Sequence, residues 1–148
     1  MSLLLVAIQF ALILLLLLPL PAALLSSYAA MAMLTAGVVL GVWTLYFNRI
    51  GNFNIRPEPK TGARLVTDGP YRFIRHPMYT AVLLMMAPFA FASDDAIRIF
   101  YWVLLLAVLQ VKSSIEEKML KRQFPEYVGY QRKTGRFLPR LFRSGDKK

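Results

Sequence analysis

Uncharged apolar runs constrain this chain more than anything else in it. Residues 3–18 are apolar except for Gln9, and residues 28–47 carry no charge. About 20 such residues cross a hydrocarbon core as a helix, and a compact soluble domain rarely needs two in succession. A third run covers 77–93, and a fourth begins at Ile97 and fades into polar residues near Ser114. With 57% hydrophobic residues and a mean hydropathy of +0.48, the 148-residue chain is too apolar for an ordinary soluble domain. The expected fold is all-α: one integral-membrane domain over 1–148, with four transmembrane helices at about 3–25, 28–47, 77–93 and 97–114. An amphipathic, helical, cytoplasmic C-terminal tail follows.

Local chemistry refines these spans. Pro19 and Pro21 kink or end the first helix, because proline lacks the N–H that a helix interior needs. No Lys or Arg precedes Arg49, whereas a cleaved signal peptide opens with such residues, so the first helix is expected to be retained. Gly37 and Gly41 form a small-x-x-x-small face suited to close helix packing. Pro88 predicts a kink in the third helix. The fourth helix is expected to run without a break through Glu116, Glu117, Lys118 and Lys121.

Charge sets the topology. Of the eighteen Lys and Arg residues, eleven lie from Lys112 onward, six lie in the polar loop 48–75, and Arg98 is the other. The positive-inside rule places loop and tail together in the cytoplasm, which requires an even number of spans and a cytoplasmic N-terminus. For a bacterial chain this means the inner membrane. The net charge of +10 is explained by topology and anionic headgroups, and no nucleic-acid motif accompanies it. Zero cysteines exclude a disulfide framework, an iron–sulfur cluster and a cysteine nucleophile, and one histidine argues against a metal site.

Polar chemistry gathers at the cytoplasmic boundary. Residues 69–79, GPYRFIRHPMY, hold the only histidine, two arginines and two tyrosines. Pro77 fits the first turn of a helix, which puts His76 at or beside its N-cap. Such an end attracts anions, with Arg72 and Arg75 adding donors; the alternative is that His76 only caps while the arginines reach lipid phosphates. Glu116 and Glu117 lie where the fourth helix leaves the membrane. Glu117 has Lys121 four residues on, an ordinary helical ion pair, while Glu116 has no such partner and is the freer ligand candidate. Tyr127 and Tyr130 share a face if the tail is helical there, and serve either as a ligand wall or as interfacial anchors.

Five linked motifs carry a resemblance. Leu65-x-Thr67-x-Gly69-Pro70-Tyr71, Arg75-His76-Pro77-x-Tyr79, Glu116-Glu117-x-x-Leu120, Phe124-x-x-Tyr127-x-x-Tyr130 and Arg136-x-x-Pro139 occur in this order. Residues 65–139 thereby resemble the catalytic core of the isoprenylcysteine carboxyl methyltransferase and phospholipid methyltransferase group.

The resemblance implies an integral-membrane enzyme that uses S-adenosylmethionine and lacks the Rossmann-like methyltransferase fold. It implies a cofactor pocket lined by Gly69, Tyr71, His76 and Tyr79, with Glu116 or Glu117 on the ribose or amino group and Tyr130 and Arg136 closing the site. Arg72, Arg75 and Glu116 are then the catalytic candidates, the arginines receiving an anionic nucleophile. The acceptor is a small lipophilic or lipid-like molecule, nucleophilic through a carboxylate, thiol or amine. Two alternatives stand beside it: a reductase similar to the sterol reductases, which bind a nicotinamide cofactor, and a non-catalytic membrane module whose basic tail docks a partner.

Overall fold

The computed structural model describes residues 2–21, 24, 27–48, 65–92 and 95–140. Its elements are α1 (Ser2–Leu17), α2 (Tyr28–Asn48), a 3-10 turn (Gly69–Arg72), α3 (Pro77–Phe91), α4 (Ala96–Gln123) and α5 (Tyr127–Lys133). All are helical, and among the described residues there is no strand. Most of the polar loop, 49–64, lies outside the described residues.

Two of the four expected spans, α2 and α4, are long and apolar enough to cross a membrane. The first is shorter than predicted. α1 stops at Leu17 instead of reaching position 25, because Pro19 and Pro21 cannot donate to the carbonyls behind them. Its 16 residues span about 24 Å and the 15 of α3 about 22 Å, against a hydrocarbon core of about 30 Å.

α3 is the central helix. Thr80, Ala81, Leu83, Met86, Ala87, Phe89 and Ala90 are buried on it, and α1, α2 and α4 pack around it. Gly37 of α2 meets Met85 and the Ala81 carbonyl, and Gly41 faces Ala81, so the two glycines form the predicted close seam. Leu12 and Leu16 of α1 complete the core with Leu105, Val108 and Leu109 of α4. The outer faces stay apolar: Leu4, Phe10 and Leu14 of α1, Val39 and Val42 of α2, and Phe100 and Val103 of α4 are all exposed. Exposed apolar side chains on three helices suit lipid better than water.

The helix ends are specified locally. Ser27 Oγ accepts from the Ala30 N–H at the start of α2, and Asp95 caps α4 by accepting from Ile97 N. α4 runs unbroken over 28 residues, as the sequence predicts. Trp102 Nε1 donates to the Leu83 carbonyl and ties α4 to α3. Arg98, the one Lys or Arg outside the loop and tail, is 7% exposed. It donates to the carbonyls of Leu16 at 3.0 Å, Phe89 at 3.4 Å and Pro19, closing the ends of α1 and α3. Helix C-termini leave carbonyls unpaired, and a buried guanidinium with five donors satisfies several at once.

After α5 the chain turns back beside the start of α3. Gly135 N–H donates to the Phe73 carbonyl, Arg75 N–H to Gly135 O at 2.8 Å and His76 N–H to Arg136 O at 3.1 Å. Residues 73–76 and 134–137 thus run side by side around an isolated parallel bridge between Ile74 and Gly135.

Candidate functional site

Glu117 is the centre of the polar cluster at the start of α3. At 3% exposure it accepts from Arg75 Nε at 2.9 Å and Gln131 Nε2 at 2.8 Å, and it pairs with Arg136 Nη2 at 3.1 Å and His76 Nε2 at 3.3 Å. The alternative helical pair with Lys121 is not among the ion pairs of the described residues; Glu117 faces inward, toward elements distant in sequence. Burial works against its ionisation, but hydrogen bonds from His76 and Arg75 and the charges of Arg75 and Arg136 prevail and hold its carboxyl at about 2. It is an anion at any physiological pH.

Glu116 is the freer carboxylate, as the sequence suggests. Its side chain is 37% exposed, accepts from the Tyr79 hydroxyl, and has His76 Nδ1 at 3.5 Å. His76 therefore stands between two carboxylates, one at each ring nitrogen. Burial lowers its pKa, yet the hydrogen bonds and charges of Glu116 and Glu117 outweigh this and raise it above the ordinary value. His76 occupies the N-cap position of α3 with Pro77 after it, as predicted, but its side chain makes no capping bond. The carboxylates hold the ring instead, stacked on Tyr79 at 5.5 Å with an interplanar angle of 4°. Phe137 meets both rings edge-on.

The other sequence candidates divide into those inside this cluster and those outside it. Arg75 is committed internally: besides Glu117 it donates to the carbonyls of Gln131, at 3.1 Å, and Thr134. Arg136 bridges Glu117 and Ser114 Oγ, the latter at 3.0 Å. Tyr130 donates to the Tyr71 carbonyl at 2.6 Å, fastening α5 to the 3-10 turn. Burial, with the Glu116 charge adding to it, pushes the Tyr71 phenol up to about 12. Gly69 has a φ of +58°, and a Cβ there would stand 2.5 Å from the Phe47 ring, so its place is against α2. Arg72 is exposed, beyond the cluster. Tyr127 packs against Tyr130 at 5.6 Å, and its buried hydroxyl has no hydrogen-bond partner among the described residues.

Several members escape sequence reasoning. Gln131, Thr134 and Ser114 stand in or beside the unassigned positions of the motifs, and their chemistry is too common to single out. Gly135 is required by a tight turn, since a Cβ there would come within 1.7 Å of the Leu138 carbonyl. The assembled site has one partly exposed carboxylate, an aromatic wall and a fully paired buried anion behind them. That arrangement can hold a cationic, partly aromatic ligand.

The phospholipid methyltransferase family matches residues 25–127, from just before α2 to the start of α5. The chain belongs to this family. The matched stretch includes Gly69, Tyr71, Arg75, His76, Tyr79, Glu116 and Glu117 of this phospholipid methyltransferase relative, while Tyr130 and Arg136 lie past its end. Among curated proteins it is 32% identical over 122 residues to the nickel-cobalt-cadmium resistance protein NccN of Alcaligenes xylosoxydans xylosoxydans, covering 80% of this chain and 56% of that one. It is 39% identical over 79 residues to an uncharacterised protein of Schizosaccharomyces pombe, covering 49% of this chain and 23% of the relative. The cobalt-zinc-cadmium resistance protein CzcN of Cupriavidus metallidurans is 35% identical over 79 residues, covering 52% and 36%. The chain thus spans about half or less of the length of these relatives. No solved structure matches it.

Proposed function

We propose that the protein is an integral-membrane methyltransferase that uses S-adenosylmethionine to methylate a small lipophilic or lipid-like acceptor at the cytoplasmic face. The observation that carries this reading is the position of Glu116: a carboxylate left partly open beside the stacked His76 and Tyr79 rings, backed by a Glu117 whose partners are all internal. The residues fit the cofactor. A carboxylate suits its sulfonium and ammonium, and aromatic rings suit its cationic and adenine portions.

Bound S-adenosylmethionine supplies a methyl carbon already activated by the sulfonium, so the protein's task is positioning and exclusion of water. Glu116 would hold the cationic part. His76 and Tyr79 would orient that carboxylate and form one wall, with Tyr71 and Tyr130 closing the side toward α5. Arg75 and Arg136 would act through Glu117, fixing α5 and the 134–137 segment on the mouth of α3. Exposed Arg72 remains the arginine open to an anionic acceptor. Gly69 would serve by letting the 3-10 turn approach α2.

The same reading places four spans in the membrane, with α1 and α3 crossing as short helices packed on α2 and α4. Both termini and the paired 73–76 and 134–137 segments would then be cytoplasmic. The test is calorimetric titration of the purified full-length protein in lipid nanodiscs with S-adenosylmethionine and NADPH side by side. Saturable binding of the first alone supports the reading; a folded protein that binds only NADPH, or neither, overturns it.

A further inference from the structure

One cation near the site is not absorbed by the cluster. Lys112, one helical turn before Glu116 on α4, donates to Gln9 Oε1 of α1 at 2.6 Å, with its ammonium 5.2 Å from the centroid of the Tyr79 ring. That ring belongs to the tyrosine whose hydroxyl donates to Glu116. Gln9 is the single polar residue in the first apolar run and is buried at 9% exposure. An ammonium at the edge of an apolar region is costly without a counter-ion. Among the described residues, though, no carboxylate stands within ion-pair distance of Lys112: Glu116 attracts it through space but is engaged directly by Tyr79 and His76, and Glu117 is engaged by Arg75, His76 and Arg136. An amide oxygen and a π face orient a cation while leaving its charge unneutralised. Arg75, Arg136 and Lys112 already outnumber the two glutamates before His76 is protonated. The neighbours in sequence, Phe10 and Val111, are exposed apolar side chains on the outer faces of α1 and α4.

We propose that Lys112, held by Gln9, is the receptor for an anionic headgroup, a carboxylate or phosphate monoester on a lipophilic tail, and so decides which acceptors enter. The tail lies along the α1–α4 surface beside Phe10 and Val111, and the head meets the ammonium next to Tyr79. This deepens the methyl-transfer reading and rests on it for the claim that the bound acid is the acceptor. It also moves acceptor recognition from Arg72, which is exposed beyond the cluster, to a residue that the sequence motifs do not contain.

The experiment uses the full-length protein in phosphatidylcholine nanodiscs, with empty discs as blanks. Dodecanoate, dodecyl phosphate, dodecanol and dodecylammonium are the probes, and S-adenosylmethionine binding is measured separately on the same discs. The expected result is that one or both acids bind about tenfold more tightly than the alcohol or the amine, the scale of a charge-assisted contact. The acid that binds better identifies the headgroup. Lys112→Gln should abolish the preference, Lys112→Arg should keep most of it, and Gln9→Leu should weaken it, all with cofactor binding unchanged. On the native sequence, the preferred acid should slow acylation of Lys112 by a water-soluble amine reagent, read by mass spectrometry, and dodecanol should not. No preference for acids, no protection of Lys112, or a preference that survives Lys112→Gln overturns the proposal. Acid binding that depends on Lys112 without any binding of S-adenosylmethionine would sink the methyl-transfer reading and leave the anion site standing.

Discussion

Adjacent glutamates have opposite situations here. Glu117 is enclosed by three cationic side chains and an amide, so removing its charge leaves Arg75 buried and unpaired. Glu117→Gln should therefore destabilise the protein by about 3–5 kcal/mol, as loss of one partner of a buried ion pair does, read as a fall in thermal midpoint in detergent. Glu116→Gln should lower that midpoint less than Glu117→Gln does, through the lost His76 contact, and weaken S-adenosylmethionine binding by at least about tenfold, the scale of one lost charge-assisted contact. A Glu116→Gln protein that binds the cofactor normally would show that this carboxylate is not a ligand.

The same residues give a stability profile with two slopes. Glu117 has a folded pKa depressed from 4.5 to about 2, so its contribution is complete above pH 4.5 and disappears as pH falls toward 2. His76 has a folded pKa raised above 6.5, so its contribution is complete below pH 6.5 and is lost as pH rises through the folded value. Thermal midpoints measured across pH should be highest between about 4.5 and 6.5, and His76→Gln should flatten the alkaline slope specifically.

At the scale of elements, α2 and α3 make the most extensive helix–helix contact among the described residues. A Cβ at Gly37 would lie 2.7 Å from Met85 Cγ and 2.8 Å from the Met85 backbone nitrogen, whereas one at Gly41 would find Ala81 Cβ at an ordinary 3.7 Å. Gly37→Ala should cost about 1–3 kcal/mol, the range for overpacking, and Gly41→Ala should be close to neutral in the same unfolding assay. Equal effects would mean that the helices do not meet along this face. The small-x-x-x-small spacing was legible in the sequence; that one glycine is strict and the other tolerant depends on where Met85 sits. α4 teaches the reverse. Leu105, Leu109, Ser113 and Glu117 are all buried at four-residue spacing. That stripe marks the inward glutamate, since positions four apart share a helix face. The charges alone leave open an ordinary ion pair of Glu117 with Lys121, which the inward orientation of Glu117 does not make.

For the whole molecule, the lack of cysteine makes topology directly measurable. Lys133→Cys, on the basic tail, and Ile97→Cys, at the opposite end of α4, should react with an impermeant maleimide from opposite sides of a sealed vesicle. Labelling from one side only would contradict a spanning α4. Hydropathy and the distribution of Lys and Arg are enough to anticipate helices where α2, α3 and α4 occur, the His76–Pro77 helix start and the polar boundary, because each is a property of neighbouring residues. Proline chemistry is equally local, yet it shortens α1 to Leu17, further than the apolar run to position 25 suggests.

The sequence by itself determined an all-helical chain, its apolar runs and the residue types available for chemistry, since periodicity, capping and charge act over one or two turns. Only the tertiary structure decided what those residues meet. Glu117 draws its partners from positions 75, 76, 131 and 136, Arg98 from 16, 19 and 89, and Lys112 from position 9. These contacts exist because the 134–137 segment pairs with 73–76 and because α1 packs against α4, and loop closure over such distances leaves no mark in local pattern.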